Sequence, residues 1–169
     1  MLHLDNINKK IFHSVADFEK LLYYYRFRDL KKVFTNGCFD IMHLGHVEYL
    51  SKAADLGDVL IVGINSDESV RGIKNHGRPI CDIHSRSMVL ASFSFVNAVI
   101  IFDEETPINL IKFIKPDILV KGKDYSVENI VGADFVLSNG GIVETIDLVK
   151  GYSTSRIEQK IIANVKPKL

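Results

Sequence analysis

The chain has 169 residues, near the usual size of one domain, and 47% of them are hydrophobic, enough to bury one full core. Lys plus Arg and Asp plus Glu each number 21, so no bulk charge draws the chain to nucleic acid or an anionic membrane, and any anion site must be built locally. No stretch reaches the roughly eighteen unbroken apolar residues of a spanning helix, and the N-terminus carries Asp5, Lys9 and Lys10 where a leader would be apolar, so a cytoplasmic protein is expected.

Residues 1 to 30 read as an N-terminal helical extension. The stretch "ADFEKLLYYYRFRDL" sets Phe18, Leu21, Leu22 and Tyr25 at helical spacing with no strand beside it. Its interleaved Tyr, Phe and Arg side chains fit packing against a core better than a nucleic-acid surface. Residues 31 to 169 change rhythm. Apolar runs of strand length, "KKVFTNG", "GDVLIVGINS", "NAVIIF", "PDILVKG" and "GIVETIDL", alternate with stretches of helical spacing. Between the first two, Val47, Leu50, Ala53 and Ala54 make one apolar helix face that stops at Gly57, a natural left-handed cap. Further on, Thr106 and Pro107 read as N-cap and first residue of a helix with Ile108, Ile111 and Ile114 inward and Pro116 as its stop. Strands this apolar predict an α/β fold, a doubly wound and mostly parallel sheet of Rossmann-like form covered on both faces. Function is then expected at the C-terminal ends of the strands. Cys38 and Cys81 lack a C-x-x-C partner and read as small buried apolar residues.

The stretch "FTNGCFDIMHLGH", Phe34 to His46, places two histidines three apart directly after the first of these strands. With a helix starting near Leu44 or Gly45, His43 and His46 fall in its first turn, where unpaired N–H groups and the positive pole of the helix favour an anion. Gly45 has no side chain to keep a phosphate away, and two imidazoles one turn apart add directional donors on one face. Packing alone and zinc are the competing readings. The familiar zinc arrangement is H-E-x-x-H with a further ligand, and here the spacing is three with no third group following, so no metal site is assigned. A Walker A motif and a dinucleotide G-x-G-x-x-G are absent.

"TNGCFD" leading into "HLGH" resembles the signature of the cytidylyltransferase-like nucleotidyltransferases. "GDVLIVGINSDESVRGIK", "GRPI", "ILVKGKDY", "VGADFV", "GG" and "GYSTSRI" follow in the order and spacing of one branch, the adenylyltransferase half of bacterial ADP-heptose synthase. The resemblance covers about residues 30 to 163. Lys123 stands where the branch usually shows glycine, and Ser155 where a second threonine is common. A sugar kinase often shares the chain in that branch; 169 residues leave no room for one, so a stand-alone transferase is expected.

The resemblance implies a reaction in which a sugar 1-phosphate, here a heptose 1-phosphate, attacks the α-phosphorus of ATP and releases pyrophosphate. Such a nucleophile is already an anion, so no general base is required, and catalysis is positioning and neutralisation of charge on the phosphates. His43 and His46 would donate to phosphate oxygens. Lys74, with Arg71 and Arg78, lies in a glycine-containing segment suited to closing over a triphosphate. Arg86, on the next helix, has a guanidinium fit for bidentate phosphate contact. The resemblance further implies that Thr35, Asn36, Gly37, Phe39, Asp40 and Gly45 surround the nucleotide, and that Lys121, Gly122 and Asp124 meet it at a strand end. Asp40 reads equally well as an Asx turn or an orienter of loop backbone. Ser153, Thr154 and Ser155 precede the last helical pattern, where one hydroxyl caps the helix and the cluster can hold phosphate. Mg²⁺ is expected to arrive with ATP, held largely by phosphate oxygens and water. A cytidylyltransferase acting on glycerol 3-phosphate shares the same histidines, and a non-catalytic nucleotide-binding module is the reading from another class. A homodimer is possible, with the N-terminal helix as its interface; neither nucleic acid nor membrane is an expected partner.

Overall fold

The computed structural model describes residues 2–74, 77–123 and 127–165. Among these residues six parallel strands form one sheet: β1 (Ile11–Phe12), β2 (Lys32–Gly37), β3 (Val59–Asn65), β4 (Ala98–Phe102), β5 (Ile118–Gly122) and β6 (Ile142–Ile146), in the spatial order β1-β4-β3-β2-β5-β6. The chain winds outward from β2 through β3 and β4, then returns to place β5 on the other side of β2. The strand order therefore reverses between β2 and β5. In open α/β sheets the crevice beyond the strand ends at such a reversal receives ligands.

Among the described residues eight helices connect and cover the strands: α1 (Leu2–Asn8), α2 (Val15–Phe27), α3 (Leu44–Ala54), α4 (Asp67–Ile73), α5 (Ile83–Ser92), α6 (Ile108–Ile114), α7 (Ala133–Ser138) and α8 (Thr154–Asn164), with a short 3₁₀ turn at Val127–Asn129. The two-residue period of the strands sorts the core into two layers. Phe34, Ile61, Ile100 and Leu119 face α2, α6 and α7 through Phe18, Leu22, Ile111, Ile114 and Val136. Val33, Leu60, Val62, Val99 and Val120 face α3 and α5 through Leu50, Ala53, Leu90 and Ala91. Both faces of the central strands β2 to β5 are thus buried, which is why they read as apolar runs.

Three details differ from the sequence-based expectation. The N-terminal stretch does contain a strand: Ile11 and Phe12 pair with Val99 and Ile100 of β4. Two residues are too short to show a periodicity. Gly57 is not a left-handed cap, because α3 ends at Ala54 with Asp55 as C-cap. A Cβ at residue 57 would lie 2.7 Å from the Lys31 carbonyl oxygen and 2.7 Å from Val33 Cγ2, so close approach to the start of β2 requires glycine there. Pro107 is the N-cap of α6 rather than its first residue, with φ −80° and ψ 12°, and Lys115 ends the helix in the left-handed region at φ 48° before Pro116.

Candidate active site

Beyond Gly37 the chain leaves β2 and turns sharply into α3, with Phe39 at φ 48° and Ile41 at φ 51°. Left-handed conformations are unusual for such side chains and are held only where the surroundings over-determine them. The turn delivers His43 to the N-cap of α3, where its carbonyl accepts from the His46 amide at 2.9 Å. The two imidazoles stack with ring centroids 3.9 Å apart and 22° between their planes, and Phe39 meets His46 edge-on at 5.5 Å. Gly45 makes room for this: a Cβ there would lie 3.0 Å from His43 Cε1 and 3.5 Å from Tyr152 Cβ. Burial lowers the pKa of His43. Burial, reinforced by His43, lowers that of His46 to about 4. Both rings are therefore neutral near pH 7, each with one N–H to donate. Their buried Nδ1 atoms have no hydrogen-bond partner among the described residues.

The histidines open into a cleft of about 1010 Å³ at the C-terminal ends of the strands, lined from β2 by Asn36 and Gly37, from β3 by Asn65, and from β5 by Lys121 and Gly122. Lys121 Nζ donates to the Asn36 side-chain oxygen and, at 3.3 Å, to the Asn36 carbonyl, which spans the reversal point between β5 and β2. Lys74, at the C-cap of α4, lines another wall. Beneath this floor Thr35 Oγ1 and Tyr49 Oη lie 2.7 Å apart, and Tyr49 donates to the Val120 carbonyl at 3.1 Å, so α3 is bolted to β2 and β5.

Asp40 is 7% exposed and organises the loop that leads into α5. Its carboxylate accepts from Arg78 Nη1 at 2.7 Å, from the Ile80 amide at 2.9 Å and from the Cys81 amide at 2.9 Å. Burial pulls the carboxyl upward, but the Cys81 and Ile80 amides and Arg78 outweigh it and hold the pKa below the usual carboxylate range. The Asp40 carbonyl accepts from Thr154 Oγ1 at 2.9 Å, and Ser153 caps α8 by accepting from the Arg156 amide at 3.2 Å. Ser153, Thr154 and Ser155 line the same cleft as the two histidines.

The cytidylyltransferase-like family model matches residues 34–160. The chain belongs to this family. Its match begins inside β2 and ends within α8, so it takes in every strand end that borders the cleft. Among curated relatives, the "Bifunctional protein HldE" of Campylobacter jejuni subsp. doylei is 55% identical over 143 residues, 85% of this chain and 30% of the relative. The HldE protein of Citrifermentans bemidjiense is 51% identical over 137 residues, 81% of this chain and 28% of the relative. The chain thus spans about three-tenths of the length of these relatives. Among solved structures, the lipopolysaccharide core biosynthesis protein of Thermoplasma volcanium GSS1 superposes with a TM-score of 0.58 at 29% identity, covering 73% of this chain and 99% of that one. Pantoate-beta-alanine ligase of Francisella tularensis shares the fold, with a TM-score of 0.61 at 17% identity over 88% of this chain and 75% of that one.

Not every residue expected at this cytidylyltransferase-like site reaches the cleft. Arg86 is 1% exposed, and its guanidinium donates to the Cys81 carbonyl at 2.9 Å, the Cys38 carbonyl at 2.6 Å and Asp67 Oδ1 at 2.6 Å. With its donors so occupied it does not offer the phosphate contact expected of it; it joins the loops at Cys38 and Cys81 to the start of α4 from behind. Thr35 is fully buried under Tyr49 and positions the floor without lining the cleft. Arg71 is exposed on α4 and outside the cleft lining. Asp124 lies outside the described residues. Neither Cys38 nor Cys81 is fully buried, and Cys38 borders the cleft, its thiol pKa raised by burial. Asn65, Glu105, Tyr49 and Glu158 line the cleft without having been singled out. Asn65 ends an apolar strand, so the strand-end rule could have found it; the other three carry no local signal.

Proposed function

We propose that the protein is a nucleotidyltransferase that transfers AMP from ATP to a sugar 1-phosphate, most specifically D-glycero-β-D-manno-heptose 1-phosphate, yielding ADP-heptose and pyrophosphate. The observation that carries the reading is the stacked, neutral pair His43 and His46 at the N-terminal end of α3, in a cleft shared with Lys74, Lys121 and the Ser153–Ser155 hydroxyls. The identity to HldE proteins, with the later sequence blocks, favours the heptose acceptor over other sugars.

In this mechanism an oxygen of the sugar phosphate forms a bond to the α-phosphorus, and the bond from that phosphorus to the bridging oxygen of pyrophosphate breaks. The attacking oxygen is anionic, so no side chain removes a proton. His43 and His46 donate hydrogen bonds to the phosphoryl oxygens, and these contacts strengthen as charge builds in the transition state. The amides of the first turn of α3 add their partial positive charge, and Gly45 lets a phosphate approach them. Lys74 neutralises the β and γ phosphates. Lys121 holds the strand end against which the base lies.

Among the described residues no group of three or more His, Cys, Asp or Glu side chains is placed to hold a metal. Mg²⁺ would arrive with the triphosphate, held largely by phosphate oxygens and water, and would supply charge neutralisation there.

The test is pyrophosphate release with Mg²⁺, crossing ATP and CTP against heptose 1-phosphate and glycerol 3-phosphate. Release that requires ATP and the heptose supports the reading. Release with CTP and glycerol 3-phosphate keeps the chemistry and overturns the substrates.

A further inference from the structure

Helix α8 has no buried residue, and Ile161 and Ile162 are 57% and 68% exposed. Apolar packing therefore contributes little to where it sits. Two polar links reach it from the histidine loop, and both lead to Asp40. Thr154 Oγ1 donates to the Asp40 carbonyl at 2.9 Å. Glu158 Oε2 accepts from Arg78 Nη2 at 2.7 Å, while Arg78 Nη1 donates to the Asp40 carboxylate at 2.7 Å. Thr154 and Glu158 are four residues apart and so share one face of α8.

A carboxylate lining a cleft built for polyanions is an anomaly. By charge alone Glu158 would repel a triphosphate. We propose that Glu158 is a positioning residue for phosphate binding: through Arg78 and Asp40 it fixes the first turn of α8, and with it the Ser153–Ser155 hydroxyls, in the cleft they share with His43 and His46. The inference rests on the nucleotidyltransferase reading in that the ligand positioned for is a nucleoside triphosphate.

The two roles open to Glu158 have opposite signs. If it only adds negative charge, its removal tightens nucleotide binding; if it positions α8, removal weakens it. The experiment measures ATP affinity in the presence of Mg²⁺ by calorimetry, pyrophosphate-release kinetics, and amide hydrogen exchange across α8, for the wild type, Glu158→Ala, Glu158→Gln, Arg78→Ala and the double alanine variant. Because the side chain of Glu158 is 41% exposed, its tie to Arg78 is partly screened, and Glu158→Ala is expected to raise Kd and KM for ATP by about three- to tenfold with kcat within about twofold.

Glu158→Gln, which still accepts from Arg78, should restore most of the affinity. Exchange in α8 should accelerate in the alanine variant and not in the glutamine variant, and the double variant should bind no more weakly than Arg78→Ala alone. Tighter ATP binding in Glu158→Ala, or unchanged affinity with unchanged exchange, overturns the proposal. A wild type that neither binds ATP nor releases pyrophosphate overturns the nucleotide reading instead, and the exchange of α8 then decides the tether by itself: acceleration in Glu158→Ala and Arg78→Ala but not in Glu158→Gln upholds it, and no change removes it.

Discussion

The imidazoles of His43 and His46 lie face to face with centroids 3.9 Å apart. Two protonated rings at that separation would repel, and burial penalises charge on either one. The pKa of His46 accordingly falls to about 4. In nuclear magnetic resonance titration of the free protein, His46 should ionise near 4, and an added triphosphate should raise its pKa because an anion stabilises the protonated ring.

The same shift sets a stability window. A histidine ordinarily titrates near 6.5, so between about 6.5 and about 4 the unfolded chain binds more protons than the folded one. The stability associated with the neutral ring is full above this window and is lost as pH falls through it. Urea denaturation between pH 7 and pH 4.5 should show that decline, and His46→Gln should flatten it. An unchanged slope in the variant would place the responsible group elsewhere.

His43→Ala and His46→Ala should lower turnover by about 10²- to 10³-fold, the usual cost of a lost donor to developing phosphoryl or oxyanion charge, while nucleotide affinity changes far less. Pyrophosphate release and calorimetry on the same preparations separate the two quantities. Turnover equal to wild type would remove the donor role.

Gly45→Ala tests the spacing of the pair. The added methyl would sit 3.0 Å from His43 Cε1, so the ring must shift from its stacked position. Turnover should fall while the melting temperature changes little, since the ring borders an open cleft. Wild-type turnover would show that the stacking is incidental.

Lys74 is exposed and ends a short helix. Lys74→Ala should leave the fold intact and raise the ATP concentration for half-maximal rate by about tenfold, as loss of one charge-assisted phosphate contact predicts. An unaffected enzyme would assign this lysine to solvent.

Arg86→Met should behave differently, because it leaves Asp67 and the Cys38 and Cys81 carbonyls without their donor. A loss of about 3 kcal/mol is expected in denaturation, and Arg86→Lys should not recover it, since an ammonium lacks the planar fork that meets three acceptors. Full stability with selective loss of ATP affinity would return Arg86 to phosphate contact.

Much of the fold was legible because buried parallel strands are apolar runs; among the described residues the central strands β2 to β5 show as such, β6 registers although none of its residues is buried, and Ile11–Phe12 is too brief to register. The histidine pair was legible because all its determinants, the strand end, Gly45 and the helix start, lie within thirteen residues. Arg86 was not. A cation on an amphipathic helix looks the same in sequence whether it faces a ligand or, as here, the carbonyl of a residue 48 positions away. Glu158 was missed for the same reason, its partner Arg78 being 80 residues distant.

Local chemistry in the sequence therefore determined the α/β rhythm, the place of the histidine pair at the start of α3, a hydroxyl cap on the last helix and the family to which the chain belongs, since each depends on residues that are neighbours along the chain. Only the tertiary structure decided which cations face the cleft and which brace it from behind, and that Asp40 serves the loop through three donors. Those outcomes depend on distances between segments that the winding of the sheet brings together, and on the rule that a buried charge must find its partners wherever the fold has put them.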